Sequence, residues 1–158
     1  MAKLHNYEVK IEWTGNEGQG TSDYKAYNRN HTIMGKEKYS KIKASSDPSF
    51  LGNKERYNPE DLFVSSLSAC HMLWYLHLCT VNKIVVTDYK DNATGVMEES
   101  KTGSGRFINV TLNPVVHITN ENLKEKAIQL HKEANKMCFV ANSCNFEIDH
   151  VPTIKVVV

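Results

Sequence analysis

The segment from Asn58 to Cys79 constrains the fold most, because it reads as a helix with almost no polar side to show to water. Asn58 suits an N-cap, Pro59 the first helical position, and Glu60 and Asp61 put negative charge on the first turn. After Pro59 no Gly or Pro occurs until well past Cys79, so a helix of about five turns is expected. Leu62, Phe63, Val64, Leu67, Met72, Leu73, Trp74, Tyr75, Leu76 and Leu78 occupy nearly every direction around it. A helix apolar all round belongs in a core or a membrane. Ser65, Ser66, Ser68, His71 and His77 lie within the span and argue against hydrocarbon, where polar groups are costly. The expectation is a buried central helix of a soluble protein. It holds two thiols, Cys70 in its interior and Cys79 near its end.

A chain of 158 residues suits one domain, 1–158, with a real core. A net charge of +1 offers no basic field and no acidic tail, which points away from nucleic-acid and membrane partners. The opening Met-Ala-Lys-Leu-His-Asn-Tyr-Glu has no apolar run of a secretory signal, so a cytoplasmic location is expected. In a reducing compartment, the thiols of Cys70, Cys79, Cys138 and Cys144 would be redox-active, metal-binding or simply buried. Metal binding has little support. No CxxC pair exists, and His71 and His77, six apart, diverge on a helix. No metal and no cofactor is expected.

Residues 5–13 alternate as a strand, with Tyr7, Val9, Ile11 and Trp13 on one face. The turn Thr14-Gly-Asn-Glu-Gly-Gln-Gly20 lacks the Gly-Lys-Ser/Thr of a phosphate loop, which excludes a nucleotide site there. Strands are expected over 22–34 and 38–44, then a Ser-, Pro-, Gly- and charge-rich loop over 45–57. Beyond the helix come strand residues 83–98 with a turn near Lys90-Asp-Asn92, a hairpin turn at Thr102-Gly-Ser-Gly105, and a strand over 106–118 in which Pro114 marks an edge or bulge. An amphipathic helix over 121–137 shows one stripe of Leu123, Ala127, Leu130 and Ala134, and a last strand runs over 145–158. This order reads as α+β rather than a doubly wound parallel sheet.

Cys70 is the chemical question. A helix-core cysteine is ordinarily inert packing. It sits about three turns into the helix, beyond the reach of the dipole. Its helical neighbours Phe63, Ser66, Leu67, Leu73, Trp74 and His77 form a mostly apolar wall that disfavours a thiolate. A reactive Cys70 therefore needs a cation from elsewhere, and arginine suits because it stays charged when desolvated.

The segment Asn-Pro-Glu-Asp-Leu-Phe-Val-Ser-Ser-Leu-Ser-Ala-Cys-His resembles the signature helix of the OsmC/Ohr family of thiol-dependent peroxidases. Glu60 and Cys70 keep the family's ten-residue spacing between a Glu near the helix start and the peroxidatic Cys. Cys138, after the second helix, resembles the resolving Cys. Tyr27-Asn-Arg-Asn-His31 is similar to the segment with the active-site Arg, which makes Arg29 the candidate. Phe139 stands where the organic-hydroperoxide-resistance branch has Pro, which favours the OsmC-like side. Cys79 and Cys144 match nothing in the family pattern and read as packing thiols.

The resemblance implies an OsmC-like fold, antiparallel sheets wrapped around a buried central helix, in an intertwined homodimer. It implies that Cys70 attacks a peroxide, that Cys138 closes a disulfide with the sulfenic acid, and that an external thiol reduces it. Arg29 would supply the cation and Glu60 would fix the guanidinium by a bidentate contact. Ten helical residues place Glu60 about 15 Å from Cys70 along the axis. A pocket using both is easier to build between two subunits, in agreement with the family's dimer.

Two further readings remain open. One is an OsmC-fold stress protein that binds a small apolar ligand with little peroxidase activity. The other is a Cys-His hydrolase, which is poorly supported because adjacent His71 points about 100° away from Cys70 and no orienting partner is evident.

Overall fold

The structure, a computed structural model, describes residues 2–157. Two compact units follow each other along the chain, Met1–Leu62 and Phe63–Val158.

The first unit holds a small antiparallel sheet of β1 (Lys10–Trp13), β2 (His31–Met34) and β3 (Ile42–Ala44), in that order. The strands are shorter than the alternation suggests. Between β1 and β2, polar side chains capture backbone N–H groups that a ladder would need: the Asn16 carboxamide oxygen accepts from Gly18 and Gly20, and the Asp23 carboxylate from Lys25. Val9, Ile11 and Trp13 share a face as expected, but that face is exposed. The 45–57 loop is a loop as expected, with a single 3₁₀ turn capped by Asp47.

The long helix α1 (Pro59–Val81) begins as read from the sequence. Asn58 and Asp61 form a reciprocal cap: the Asp61 amide donates to Asn58 Oδ1 at 2.7 Å and the Asn58 amide to Asp61 Oδ2 at 3.2 Å. Asn58→Ala is expected to cost about 1 kcal/mol, read as a lower urea midpoint, with Asn58→Asp close to the original.

In the second unit α1 meets two sheets. Strands β4 (Val86–Asp91), β5 (Thr94–Glu99), β6 (Gly105–Leu112), β7 (Pro114–Ile118), β8 (Ile148–His150) and β9 (Thr153–Val156) form the orders β4-β7-β9 and β5-β6-β8. Three long segments thus each change sheet at a break: 86–99 at Asn92-Ala93, 105–118 at Asn113-Pro114, and 148–156 at Val151-Pro152. Proline supplies no N–H to a ladder, which fixes two of the three breaks. Asp91 pins the bend, with Oδ1 accepting from the Asn113 amide at 2.7 Å and Oδ2 from the Ser68 hydroxyl of α1 at 2.5 Å. The β5–β6 hairpin turns where expected, with Gly103 at φ 81°.

The pairing departs from the all-antiparallel expectation. β4–β7 and β5–β6 are antiparallel, but β6–β8 and β7–β9 are parallel. The cause is topological: the second helix, α2 (Lys124–Met137), carries the chain back before the last segment.

Two cores result. The C-terminal half of α1 (Tyr75, Cys79) and α2 (Ala127, Leu130, Ala134) pack with Ile84, Val116, Ile118 and Ile154. The N-terminal half of α1 packs Leu67 against Val110, Leu112 and Ile148. By length and apolar character α1 could also cross a bilayer. In the fold only the stripe Leu67, His71, Tyr75, Cys79 is fully buried. The expectation of burial on every side is corrected here: within one chain α1 has a single core-facing stripe at four-residue spacing, and Leu73 is 63 % exposed.

Candidate active site

Cys70 lies on the flank of the buried stripe of α1, half-buried and unbridged. Cys138 is the residue that ends α2, buried, with extended backbone. The fold brings these two thiols near enough for Cys70 to bear on the Cys138 thiol. Cys138 Sγ also accepts from the Ala141 amide at 3.4 Å. Burial first, then the Cys70 sulfur, push the Cys138 thiol up to about 11. At neutral pH it therefore keeps its proton.

Around the pair is an aromatic rim. Trp74 sets its edge against Phe139 at 5.6 Å and against His77 at 5.8 Å. Leu73, Trp74 and His77 share the Cys70 face of α1 and line a shallow depression of ≈ 260 Å³. Phe139, which follows Cys138, is 65 % exposed. An apolar recess beside a thiol can hold the hydrocarbon part of a small molecule.

Arg29 and Glu60 both belong to the first unit. The Arg29 guanidinium donates to the carbonyls of Tyr27 and Tyr24 at 2.6 and 2.7 Å. It also lies over the Tyr24 and Tyr27 rings, 4.3 and 4.2 Å from their centroids. Glu60 is half-buried in the first turn of α1. Among the described residues neither takes part in an ion pair. The implied Arg29–Glu60 contact is therefore not formed within this chain, because the donors of Arg29 are turned onto its own backbone neighbours.

The remaining thiols sit in apolar clusters. Cys79 is in the α1–α2 core and Cys144 flanks the second one, donating to the Val140 carbonyl at 3.4 Å. Burial raises both thiols above their usual range.

Sequence reasoning missed one feature of this region. His71 of α1 and His131 of α2 are fully buried and hydrogen-bonded, Nε2 to Nδ1, at 2.9 Å. Tyr75 stacks on His131 with centroids 3.8 Å apart, and His150 lies 5.6 Å from His71. The signal was present: His131 falls on the stripe with Ala127, Leu130 and Ala134, four residues after the first and three before the last.

Comparison with known proteins bears on the fold and the family. The OsmC-like protein family model matches residues 52–151. An OsmC-like protein of unknown function from Vibrio cholerae superposes with a TM-score of 0.82 at 28 % identity, covering 98 % of this chain and 100 % of that one. An organic hydroperoxide resistance protein from Elizabethkingia anophelis gives 0.70 at 19 % identity, covering 99 % and 100 %. One from Legionella pneumophila gives 0.69 at 20 %, covering 98 % and 100 %. No curated protein matches the sequence. With the signature helix, both thiols and the mixed α+β fold within one matched region, this chain belongs to the OsmC-like family.

Proposed function

We propose that this protein is a thiol-dependent peroxidase that reduces organic hydroperoxides, with hydrogen peroxide as a second candidate substrate, in oxidative or osmotic stress defence in the cytoplasm. The observation that carries the reading is the nearness of a half-buried free Cys70 to a buried free Cys138. In the proposed cycle the Cys70 thiolate attacks the terminal peroxide oxygen. The O–O bond breaks, the alkoxide leaves with a proton as an alcohol, and Cys70 becomes a sulfenic acid. Cys138 then attacks that sulfur. The S–S bond forms, the S–O bond breaks, and the Cys138 proton leaves with the hydroxyl as water. Two equivalents of an external thiol restore both cysteines. The apolar recess of Leu73, Trp74 and His77 supports an organic substrate.

Arg29 and Glu60 complete the proposed site in a homodimer, where Arg29 is released from Tyr24 and Tyr27. Exposed Val9, Ile11 and Trp13 of the first unit, and exposed Leu73 of α1, support association of two copies. A monomer by light scattering at micromolar concentration would remove this part. The engagement of Arg29 in one chain favours a second reading, an OsmC-fold protein that binds a small apolar ligand with little peroxidase activity.

Titration with cumene hydroperoxide and with hydrogen peroxide, with thiols counted and mapped by mass, separates the two. The peroxidase reading expects loss of Cys70 and Cys138 together, one disulfide per equivalent of peroxide. Reaction at Cys79 or Cys144 with Cys70 untouched would end it.

A further inference from the structure

The buried pair His71–His131 takes no part in the proposed chemistry, and it is an odd thing for a core to keep. Its four ring nitrogens share one hydrogen bond. His71 Nδ1 and His131 Nε2 are both buried and have no partner among the described residues. If His71 donates, the second N–H of the pair, on His131, points at nothing; if His131 donates, the orphan lies on His71. Either tautomer strands one buried donor, at a cost of about 1–3 kcal/mol. Two well-packed apolar side chains would avoid that cost. Among the described residues no group of three His, Cys, Asp or Glu side chains is placed to hold a metal ion. What the pair does provide is direction. An apolar contact between helices tolerates sliding, whereas a bond of 2.9 Å between two stacked rings fixes one relative position.

Its location gives that direction a use. His71 is the residue after Cys70 on α1. His131 is two turns before Cys138 on the same face of α2. Tyr75, one turn beyond His71, stacks on His131 and reinforces the same contact. Cys138 stands at the very end of its helix, where a small slide or rotation of α2 moves its sulfur directly. The segment after Cys138 also meets α1, through the Trp74–Phe139 edge contact and through Val140 and Ala141 in the Leu67 cluster.

We propose that His71 and His131 are positioning residues: their hydrogen bond sets the register of α1 against α2 that holds Cys138 against Cys70. The inference rests on the reading of Cys138 as the resolving thiol, and deepens it. Misplacing a reacting group by about 1 Å can cost on the order of 100-fold in rate. Loss of the bond is therefore felt in disulfide closure and not in the first reaction at Cys70.

The test uses dipyridyl disulfide in a Cys144→Ala background. Cys70 attacks the reagent, its S–S bond breaks and one thiopyridone leaves. Cys138 then attacks the Cys70 sulfur and expels the second thiopyridone. The two releases time the first attack and the closure separately, and neither needs a peroxide. A chain that closes rapidly but ignores hydroperoxides would retain the positioning role and lose the peroxidase reading. His131→Leu is expected to leave the first phase unchanged and slow the second by about 10- to 100-fold. His71→Gln with His131→Asn places amides where the bonded nitrogens stand and is expected to restore closure to within about threefold of the parent. Closure in His131→Leu as fast as in the parent, or equal slowing of both phases, would overturn the proposal. Should His131→Leu not fold, slow closure in the double amide variant would overturn it equally.

Discussion

Between neutral pH and pH 4 the protein is expected to lose stability steeply, by on the order of 5 kcal/mol, through the same two histidines. Burial, with His150 as a lesser cause, depresses His71 from 6.5 to about 4. Burial, then His71 and His150, depresses His131 to about 3. The unfolded chain takes up protons on both near 6.5, while the folded chain refuses them. Stability from the neutral pair is complete above that value. It falls as pH drops toward 4, where the unfolded state binds up to two more protons, a slope approaching 2.7 kcal/mol per pH unit at its steepest, or about 1.36 per proton. A single domain has only about 5–15 kcal/mol in total. Two carboxylates add to the loss only further down: Lys90 beside Asp88, and Ser49 beside Asp47, hold those two below their ordinary range. Urea midpoints measured from pH 7.5 to 4.5 read the slope. In the His71→Gln, His131→Asn chain the same curve should be much flatter. Equal slopes in the two chains would show that the acid sensitivity lies elsewhere.

The acid-sensitive pair is also the part of the site least visible in the amino-acid order. The start of α1 was legible because capping is local: Asn58, Pro59, Glu60 and Asp61 act within one turn. The meeting of Cys70 with Cys138 was legible only through family likeness, since 68 residues separate them and no periodicity encodes that contact. His131 was hidden by its neighbours, because a helix rich in Lys and Glu reads as solvated wherever a polar residue stands, and only the partner ring of His71 makes burial tolerable. The α+β class followed from the order of strand and helix patterns. The parallel pairs β6–β8 and β7–β9 did not, because strand direction depends on where α2 returns the chain. Burial of α1 was overstated for a similar reason. Its composition is apolar all round, yet one chain covers only the stripe Leu67, His71, Tyr75, Cys79. The uncovered side is what a second copy would bury in the proposed dimer.

Replacing either member of the thiol pair should produce opposite chemistry. In Cys70→Ser, hydroperoxide should leave Cys138 untouched. That thiol, raised to about 11, is almost wholly protonated at neutral pH, and the thiolate is the nucleophile. In Cys138→Ser the first oxidation of Cys70 should persist within a few-fold, because the attack on peroxide uses the Cys70 sulfur alone. The sulfenic acid then has no partner. It should gain a second and third oxygen with excess peroxide, visible as successive 16-Da steps, and turnover with a thiol reductant should stop after about one cycle. Intact-mass time courses on the two variants decide the matter. Oxidation of Cys138 in Cys70→Ser, or continued turnover in Cys138→Ser, would mean that the contact between these sulfurs is packing rather than chemistry.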